Sequence, residues 1–381
     1  MAGLDDLRNL AADKTVFALK TNKTDAAPTP EEFAHYLVIL QGTEPGKRLE
    51  IGAQPVTIGR DAQQVLALTD AELSRRHARV SLVEGRVIAE DLGSTNGTFL
   101  EGQRLSQAVT MRHGHVLRVG SHTIRYERRS RTDVQRDHDL GKDLARARAY
   151  VEALLPPSLQ SGIVQTDWRF VPSTQLGGDA FGYDWLDPQT FAFYLLDVAG
   201  HGAGSAMHSV AVLNVLRQHA LPGVDFTKPS QVLGSLNDRF QMDNHGGMFF
   251  TIWYGVYHTS DRRLEYGSAG HHPAYLVAAD RDAVQPLGAP ALMIGALPGM
   301  PYDTHETRMP EGASVYVFSD GVFEIVTKDQ QRWAIGDFLP RLVDPPIAGT
   351  SESDRLYQSV QRAARPGPLD DDFSILVVTF R

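Results

Sequence analysis

The sequence predicts a multidomain chain: an all-β sandwich, then a helical linker, then an α+β domain. Three observations carry this. From His35 to Tyr126, short β-branched runs alternate with Gly, Asp and Asn, the pattern of an antiparallel sandwich. Leu140, Leu144, Ala147, Val151 and Leu154 then recur at steps of four and three, which is helical. Beyond Pro156 and Pro157, which end that helix, apolar strands alternate with Gly-rich turns and helical stretches.

The first 34 residues have leader composition, ending in Thr24-Asp-Ala-Ala-Pro-Thr-Pro-Glu-Glu, with a short helix expected around Leu4 to Leu19. Thr21, Thr24 and Thr29 are expected to be exposed threonines that a kinase could modify. The sandwich, residues 35–127, is expected to hold strands at Tyr36–Leu40, Pro55–Gly59, Ala78–Leu82 and Arg86–Asp91. Its turns carry Gly59-Arg60, Ser74-Arg75-Arg76-His77 and Gly93-Ser-Thr-Asn-Gly-Thr98. Guanidinium forks, hydroxyls and an amide gathered at one end are the donor set that a dianionic phosphate needs. The linker, residues 128–157, opens on Arg128-Arg-Ser-Arg131. Its apolar seam could pair two chains as a homodimer, pack on the following domain, or belong to a plain spacer.

Residues 158–381 carry the acids. Phe191 to Leu196 is a buried strand by pattern, and Asp197 follows it before the turn of Gly200, Gly202 and Gly204. Asp179 follows two glycines in the loop before that strand. Ser314 to Ser319 is a second strand, delivering Asp320-Gly321, and Asp370-Asp371-Asp372 precedes a third, Phe373 to Phe380. Carboxylates crowded together repel one another and raise each other's pKa, so a pair of hard divalent cations with oxygen ligands is the economical explanation. Gly247–Tyr257 and Leu264–Ala269 read as a further hairpin, after which come His271 and His272. Adjacent histidines on a strand face opposite ways, so these are expected to be structural or to line a substrate rim.

Composition narrows the classes. A net charge of −9 argues against a nucleic-acid partner. With no cysteine there can be no disulfide, thiolate metal site or cysteine nucleophile. The N-terminus has no signal pattern and no apolar run reaches membrane length, so a cytoplasmic protein without membrane contact is expected.

Gly-Gly-Asp, Asp-Val-Ala-Gly-His-Gly, Ser-Asp-Gly-Val-Phe-Glu and Asp-Asp-Phe-Ser, in this order over about residues 155–381, resemble the bacterial PPM (PP2C-type) serine/threonine phosphatases of the SpoIIE and RsbU branch. The resemblance implies a four-layer α/β/β/α sandwich holding two Mn²⁺ or Mg²⁺ ions, and hydrolysis of phosphoserine or phosphothreonine. It places Asp197 between both ions with the Val198 carbonyl beside it, and Asp179, Asp320 and Asp371 completing the shell. Asp179 and Asp197 are the pair to which catalysis is assigned. His201 lies four residues after Asp197, whereas eukaryotic relatives place their histidine two after the acid, which counts against a general-acid role. Gly-Arg, Ser-x-x-His and Ser-Thr-Asn-Gly-Thr, over about residues 36–126, resemble the forkhead-associated (FHA) domain, a phosphothreonine reader. By that match Arg60, Ser74 and Arg75 would hold the phosphate, and Thr95 and Asn96 the peptide backbone. His77 would be architectural. The expected partners are a phosphothreonine protein at the FHA domain and a phosphorylated signalling protein, such as an anti-sigma-factor antagonist, as substrate. Two rival readings are a phosphothreonine-binding adaptor whose phosphatase fold is a sensor, and an FHA domain that binds the chain's own N-terminal threonines.

Overall fold

The computed structural model describes residues 32–173 and 176–381. The expected helix at Leu4–Leu19 and Thr21, Thr24 and Thr29 lie outside the described residues. Two compact units divide at Leu140/Gly141.

The first unit begins with β1 (Phe33–Gln41), β2 (Arg48–Glu50), β3 (Val56–Gly59), β4 (Leu66–Ala67), β5 (Ala78–Val83) and β6 (Arg86–Asp91). It continues with β7 (Thr98–Leu100), β8 (Gln103–Arg104), β9 (Val109–Met111), β10 (Val116–Val119) and β11 (His122–Ser130). One sheet is ordered β2-β1-β11-β10-β7-β8, the other β4-β3-β5-β6-β9. Alternation sets their faces: Ala78 and Val80 of β5 are buried while Arg79 is exposed. Leu37, Ile58, Val80, Leu117 and Ile124 meet in the core of the sandwich. The β5–β6 hairpin turns on Glu84 and Gly85, both at positive φ, the backbone that a two-residue hairpin of this twist requires.

Helix α1 (Arg131–Leu154) crosses the boundary between the units. In the second unit β12 (Val164–Val171), β13 (Asp179–Asp187), β14 (Thr190–Val198), β15 (Phe250–His258) and β16 (Arg263–Ala269) come first. They are followed by β17 (Ala274–Val277), β18 (Val284–Leu287), β19 (His305–Arg308), β20 (Ser314–Phe318) and β21 (Phe373–Phe380). One sheet is ordered β13-β14-β15-β16-β19, the other β12-β21-β20-β17-β18. Phe181, Phe193, Leu195, Trp253, Val317 and Leu376 fill the space between them. Helices α2 (Ala203–Arg217) and α3 (Pro229–Arg239) cover the first sheet through Leu196, Val212, Leu216, Leu236 and Ile252. The helix Glu352–Ala363 and the short helices Ile335–Phe338 and Pro340–Val343 cover the second sheet through Phe318, Phe338, Leu356 and Ile375. This is the four-layer α/β/β/α arrangement. Strand β14 is buried on both faces, which is why it reads as an unbroken apolar run.

The apolar seam of α1 is used within the chain. Leu144, Ala147 and Val151 pack on Leu176, Ala206 and Val210, and Leu154 joins the core under α2 and α3, while Leu140 is exposed. Among the described residues no helix is long and apolar enough to cross a membrane.

Candidate active site

The β13–β14 hairpin pairs Asp187 with Thr190, shifts register between Asp187 and Trp185, and then runs in register from Trp185 opposite Phe191 to Asp179 directly opposite Asp197 at the far end. On β14, Phe193 and Leu195 point between the sheets while Tyr194 and Leu196 point to the helices, so Asp197 faces the inter-sheet space. Asp179 has the parity of Phe181 and shares that face. Two carboxylates directly opposite on one face destabilise a sheet unless something offsets their charge. The Val198 carbonyl lies so close to Gly178 that a Cβ there would come within 2.6 Å of it, and this approach requires glycine. Gly200 and Gly202, at φ 87° and 94°, turn the chain from β14 into α2.

The second sheet brings up the other acids. Asp320 opens a 3₁₀ turn after β20, and a Cβ on Gly321 would come within 2.2 Å of the Asp372 carbonyl, so this turn and the start of β21 are in direct backbone contact. Here three consecutive acids acquire three separate roles. Asp370 pairs with Arg365. Asp372 is buried: its Oδ1 accepts from the Ser173 amide (2.8 Å) and hydroxyl (3.0 Å), and its Oδ2 from the Gly178 amide (2.7 Å). Asp371 is exposed, holding only the Asp372 amide (2.8 Å) among the described residues. The structure therefore leaves Asp371 free to bind and makes Asp372 the tie that holds the Gly177–Gly178 loop to β21.

Electrostatics join these groups into one site. Burial, then the charges of Asp197 and Asp372, hold the Asp179 carboxyl well above its usual range. Burial, then Asp320, Asp371 and Asp372, push Asp197 up to about 7. Burial, Asp371 and Glu324 push Asp320 up to about 6. Asp371, though exposed as a residue, is also raised, by partial desolvation of its carboxyl among its neighbours and by the Asp372 charge, while the Asp372 amide and His201 oppose the shift. Asp179, Asp197, Asp320 and Asp371 thus lie within electrostatic reach as a set, and Glu324, the last residue of the Ser-Asp-Gly-Val-Phe-Glu stretch, joins them.

The set fits hard divalent cations. The Asp179 Oδ2 is buried with no hydrogen-bond partner, and the surrounding donors are carboxylates and the Val198 carbonyl, all oxygen. Among the described residues no three acidic or imidazole groups are already gathered into a chelate, so the fit rests on the orphaned oxygen and the mutually raised carboxylates.

The nearby basic residues resolve differently from one another. His201 is exposed at the rim. His271 and His272 do not sit on a strand: β16 ends at Ala269, Gly270 turns at φ 70°, and the two rings lie side by side, centroids 4.4 Å apart. The expectation that they face opposite ways is corrected by this turn. Each Nδ1 is bonded to the following carbonyl (2.8 and 2.9 Å), and burial holds the rings neutral, pushing His271 down to about 3 and His272 to about 4. Arg169 pairs with Asp354 (2.8 Å) and lies over the Tyr357 ring, so it serves the packing of the helix Glu352–Ala363.

In the first unit the expected phosphate-reading residues come from three loops knitted together. The Arg60 amide donates to the Ser74 carbonyl (3.1 Å), and Asp61 to that of Arg75 (3.3 Å). The Ser74 hydroxyl accepts from the Thr95 amide (3.0 Å), and the Asn96 side chain donates to the Glu72 carbonyl (2.7 Å). Buried His77 accepts from the Ser74 amide at Nδ1 (3.2 Å) and donates from Nε2 to the Gly97 carbonyl (3.1 Å), joining two of these loops. Arg60 and Arg75 are exposed, and among the described residues neither guanidinium has an ion-pair partner.

Comparison with known proteins agrees with both halves. The profile of the family described as stage II sporulation protein E (SpoIIE) matches residues 187–381, and that of the FHA domain residues 56–120. The phosphoserine phosphatase RsbU of Bacillus subtilis is 25% identical over 210 residues, 55% of this chain and 61% of the relative. The FHA domain-containing protein FhaB of Mycobacterium tuberculosis is 43% identical over 91 residues, 24% of this chain and 59% of the relative. The chain thus spans 59% and 61% of the length of these two curated relatives. Among solved structures, the SiaA-PP2C domain of Pseudomonas aeruginosa aligns at TM-score 0.56 and 19% identity, covering 64% of this chain and 98% of that one. The PP2C phosphatase domain of SpoIIE from Bacillus subtilis aligns at TM-score 0.50 and 19% identity, covering 57% and 61%. These structural likenesses establish the fold of the second unit. With a family profile spanning more than half of its length and an FHA domain ahead of it, the chain belongs to the SpoIIE family of PP2C-fold proteins.

Proposed function

We propose that the second unit is a metal-dependent protein serine/threonine phosphatase and that the FHA unit recruits phosphothreonine proteins to it. The observation that carries this is Asp179 set opposite Asp197 across one hairpin, with Asp320 and Asp371 close enough to raise Asp197 further. Asp197 would lie between two divalent cations, Mn²⁺ or Mg²⁺, with the Val198 carbonyl, Asp179, Asp320 and Asp371 completing the ligands. When bound, these cations supply the charge that makes a water a better nucleophile and offsets the phosphoryl oxygens. The chain's own part is to hold that charge at the mouth of the inter-sheet space. Asp372 and the glycines at 177 and 178 keep the Asp179 loop seated. The absence of cysteine is consistent with direct attack by water.

RsbU is named a phosphoserine phosphatase, which supports phosphoserine in a bacterial signalling protein as substrate, an anti-sigma-factor antagonist being the candidate. The guanidiniums of Arg60 and Arg75, without an ion-pair partner among the described residues, would take the phosphothreonine of a recruited partner together with Ser74, while Thr95 and Asn96 would hold its backbone. Recruitment raises the local concentration of substrate without a new contact at the active site. Helix α1 suits a regulatory role as well, since its seam rests on Leu176 and Ala206, on either side of the acidic loops. Phosphate release from phosphoserine and phosphothreonine peptides tests the enzyme. Activity should require Mn²⁺ or Mg²⁺, vanish with chelator and be lost in Asp197→Ala; full activity in that variant would remove the assignment.

A further inference from the structure

Resting on the phosphatase reading, we infer that a groove beside Asp371 is a subsite for acidic side chains flanking the phosphorylated residue of the substrate, read by Arg332 and Arg365. A groove of about 460 Å³ is lined by Glu324, Val326, Arg332, Trp333, Arg365, Asp370 and Asp371. It is built as a small ribbon. Val326 bridges antiparallel to Arg332, Thr327 bridges antiparallel to Ala364, and the Arg365 amide donates to the Val326 carbonyl (2.9 Å). Partners across antiparallel strands project to the same face, so Arg332 and Arg365 stand on either side of Val326, each about 5 Å away at Cβ. The turn at Gln330, φ 62°, closes the hairpin that holds Arg332 there.

In the segment that leads from the 3₁₀ turn to Val326, Phe323 and Ile325 are buried and Glu324 is exposed; Glu324 lines the groove with Val326 and carries it toward Asp320 and Asp371. One end of the groove is therefore the candidate metal centre; beyond it Arg332 and the Arg365–Asp370 pair stand over an apolar floor. The volume exceeds what a phosphoryl group fills, and the floor of Val326 and Trp333 suits the chain on which that group is carried. Charge decides the occupant. Arg332 is exposed and has no hydrogen-bond or ion-pair partner among the described residues. Arg365 is held only by Asp370, in a pair whose side chains are 45% and 39% exposed. Exposed pairs of that kind are weak and exchange readily for an incoming carboxylate. Arg365 and Asp370 offset each other, and Asp371 and Glu324 lie at the end where the proposed cations would offset them, so Arg332 leaves the rim net positive; in a chain of net charge −9 that selects an acidic peptide.

The test uses the full chain with Mn²⁺ and three phosphoserine peptides differing only in flanking residues: Asp, Ala or Lys. Phosphoserine keeps the peptides from the phosphothreonine-reading unit. The expected result is kcat/KM higher for the Asp peptide than for the Lys peptide by about tenfold, with Arg332→Glu reversing the order. A merely structural role would lower all three equally. Equal loss on all three peptides, or an unchanged preference in Arg332→Glu, overturns the subsite. Binding of the same peptides is followed by fluorescence anisotropy. If none is hydrolysed yet the Asp peptide binds best and Arg332→Glu reverses this, the phosphatase reading fails and the subsite stands. If none is hydrolysed and none is preferred, both fall.

Discussion

Asp371 and Asp372 are adjacent acids with opposite assignments, and isosteric substitution separates them. In Asp372→Asn the amide oxygen can keep both Ser173 donors, but its NH₂ then faces the Gly178 N–H that Oδ2 had accepted at 2.7 Å. One charge-assisted bond is lost and a buried N–H is left unpaired, a cost of about 2–3 kcal/mol that the relief of Asp372's repulsion of Asp179 and Asp197 only partly offsets. For a unit of this size that lowers the midpoint of thermal unfolding by about 5–10 °C. Asp371→Asn loses no buried bond, because an amide oxygen still accepts from the Asp372 N–H, and it removes a charge that raises Asp197 and Asp320. Its midpoint without metal should equal or slightly exceed that of the unsubstituted chain. Scanning calorimetry with chelator and with Mn²⁺ is the assay. At a hundredfold excess over Kd, a bound ion adds about 2.7 kcal/mol, and Asp371→Asn should forfeit most of that gain while Asp372→Asn retains it. If Asp372→Asn kept its midpoint but lost the Mn²⁺ response, and Asp371→Asn kept the response, the two roles would be exchanged and the argument from hydrogen bonding refuted.

The carboxylates also set a pH dependence. Because Asp197 and Asp320 have folded-state values near 7 and 6, above the usual 3.8, the folded chain without metal holds their protons more tightly than the unfolded chain. Their contribution to stability is present below about pH 4 and is lost as pH rises to about 7, whereas Mn²⁺ affinity should climb over the same range as the protons leave; thermal midpoints across pH with and without Mn²⁺ read both slopes. In the FHA unit, Arg60→Ala or Arg75→Ala should weaken phosphothreonine-peptide binding by about tenfold or more with little change in stability, whereas His77→Ala should destabilise the unit, since that ring is buried between two loops. On α1, Val151→Ala removes two buried methyl groups beside Leu176 and Ala206; it should cost about 1–2 kcal/mol and change turnover of a small phosphoester, and unaltered turnover would argue against a regulatory helix.

Much of this was legible along the chain, for local reasons. Strands such as Ser314–Phe318 and Phe373–Phe380 are apolar runs with an acid at one end, and period and boundary residues mark them without any partner. The glycines beside Asp179 and Asp320 are needed because backbone passes where a Cβ would stand, a demand that shows as a Gly-Asp or Asp-Gly pair. The FHA loops are legible for the same reason, their donors being spaced by short turns.

Other features depend on residues far apart in sequence. Nothing local distinguishes Asp370, Asp371 and Asp372: their roles come from Arg365 in one case and from Ser173 and Gly178 in another. The helical seam from Leu144 to Val151 has a spacing that serves a second chain as well as its own, and only the position of Leu176 and Ala206 makes it internal. The histidine pair turns on Gly270, which ends the strand that alternation alone would have continued. Arg332 and Arg365 become neighbours because both flank Val326 in a ribbon stitched across the chain. Sequence by itself determined the strands, the turns and which acids could bind. Tertiary structure decided which acids are left free, because a carboxylate is available to a cation or a substrate only when no distant donor has already claimed it.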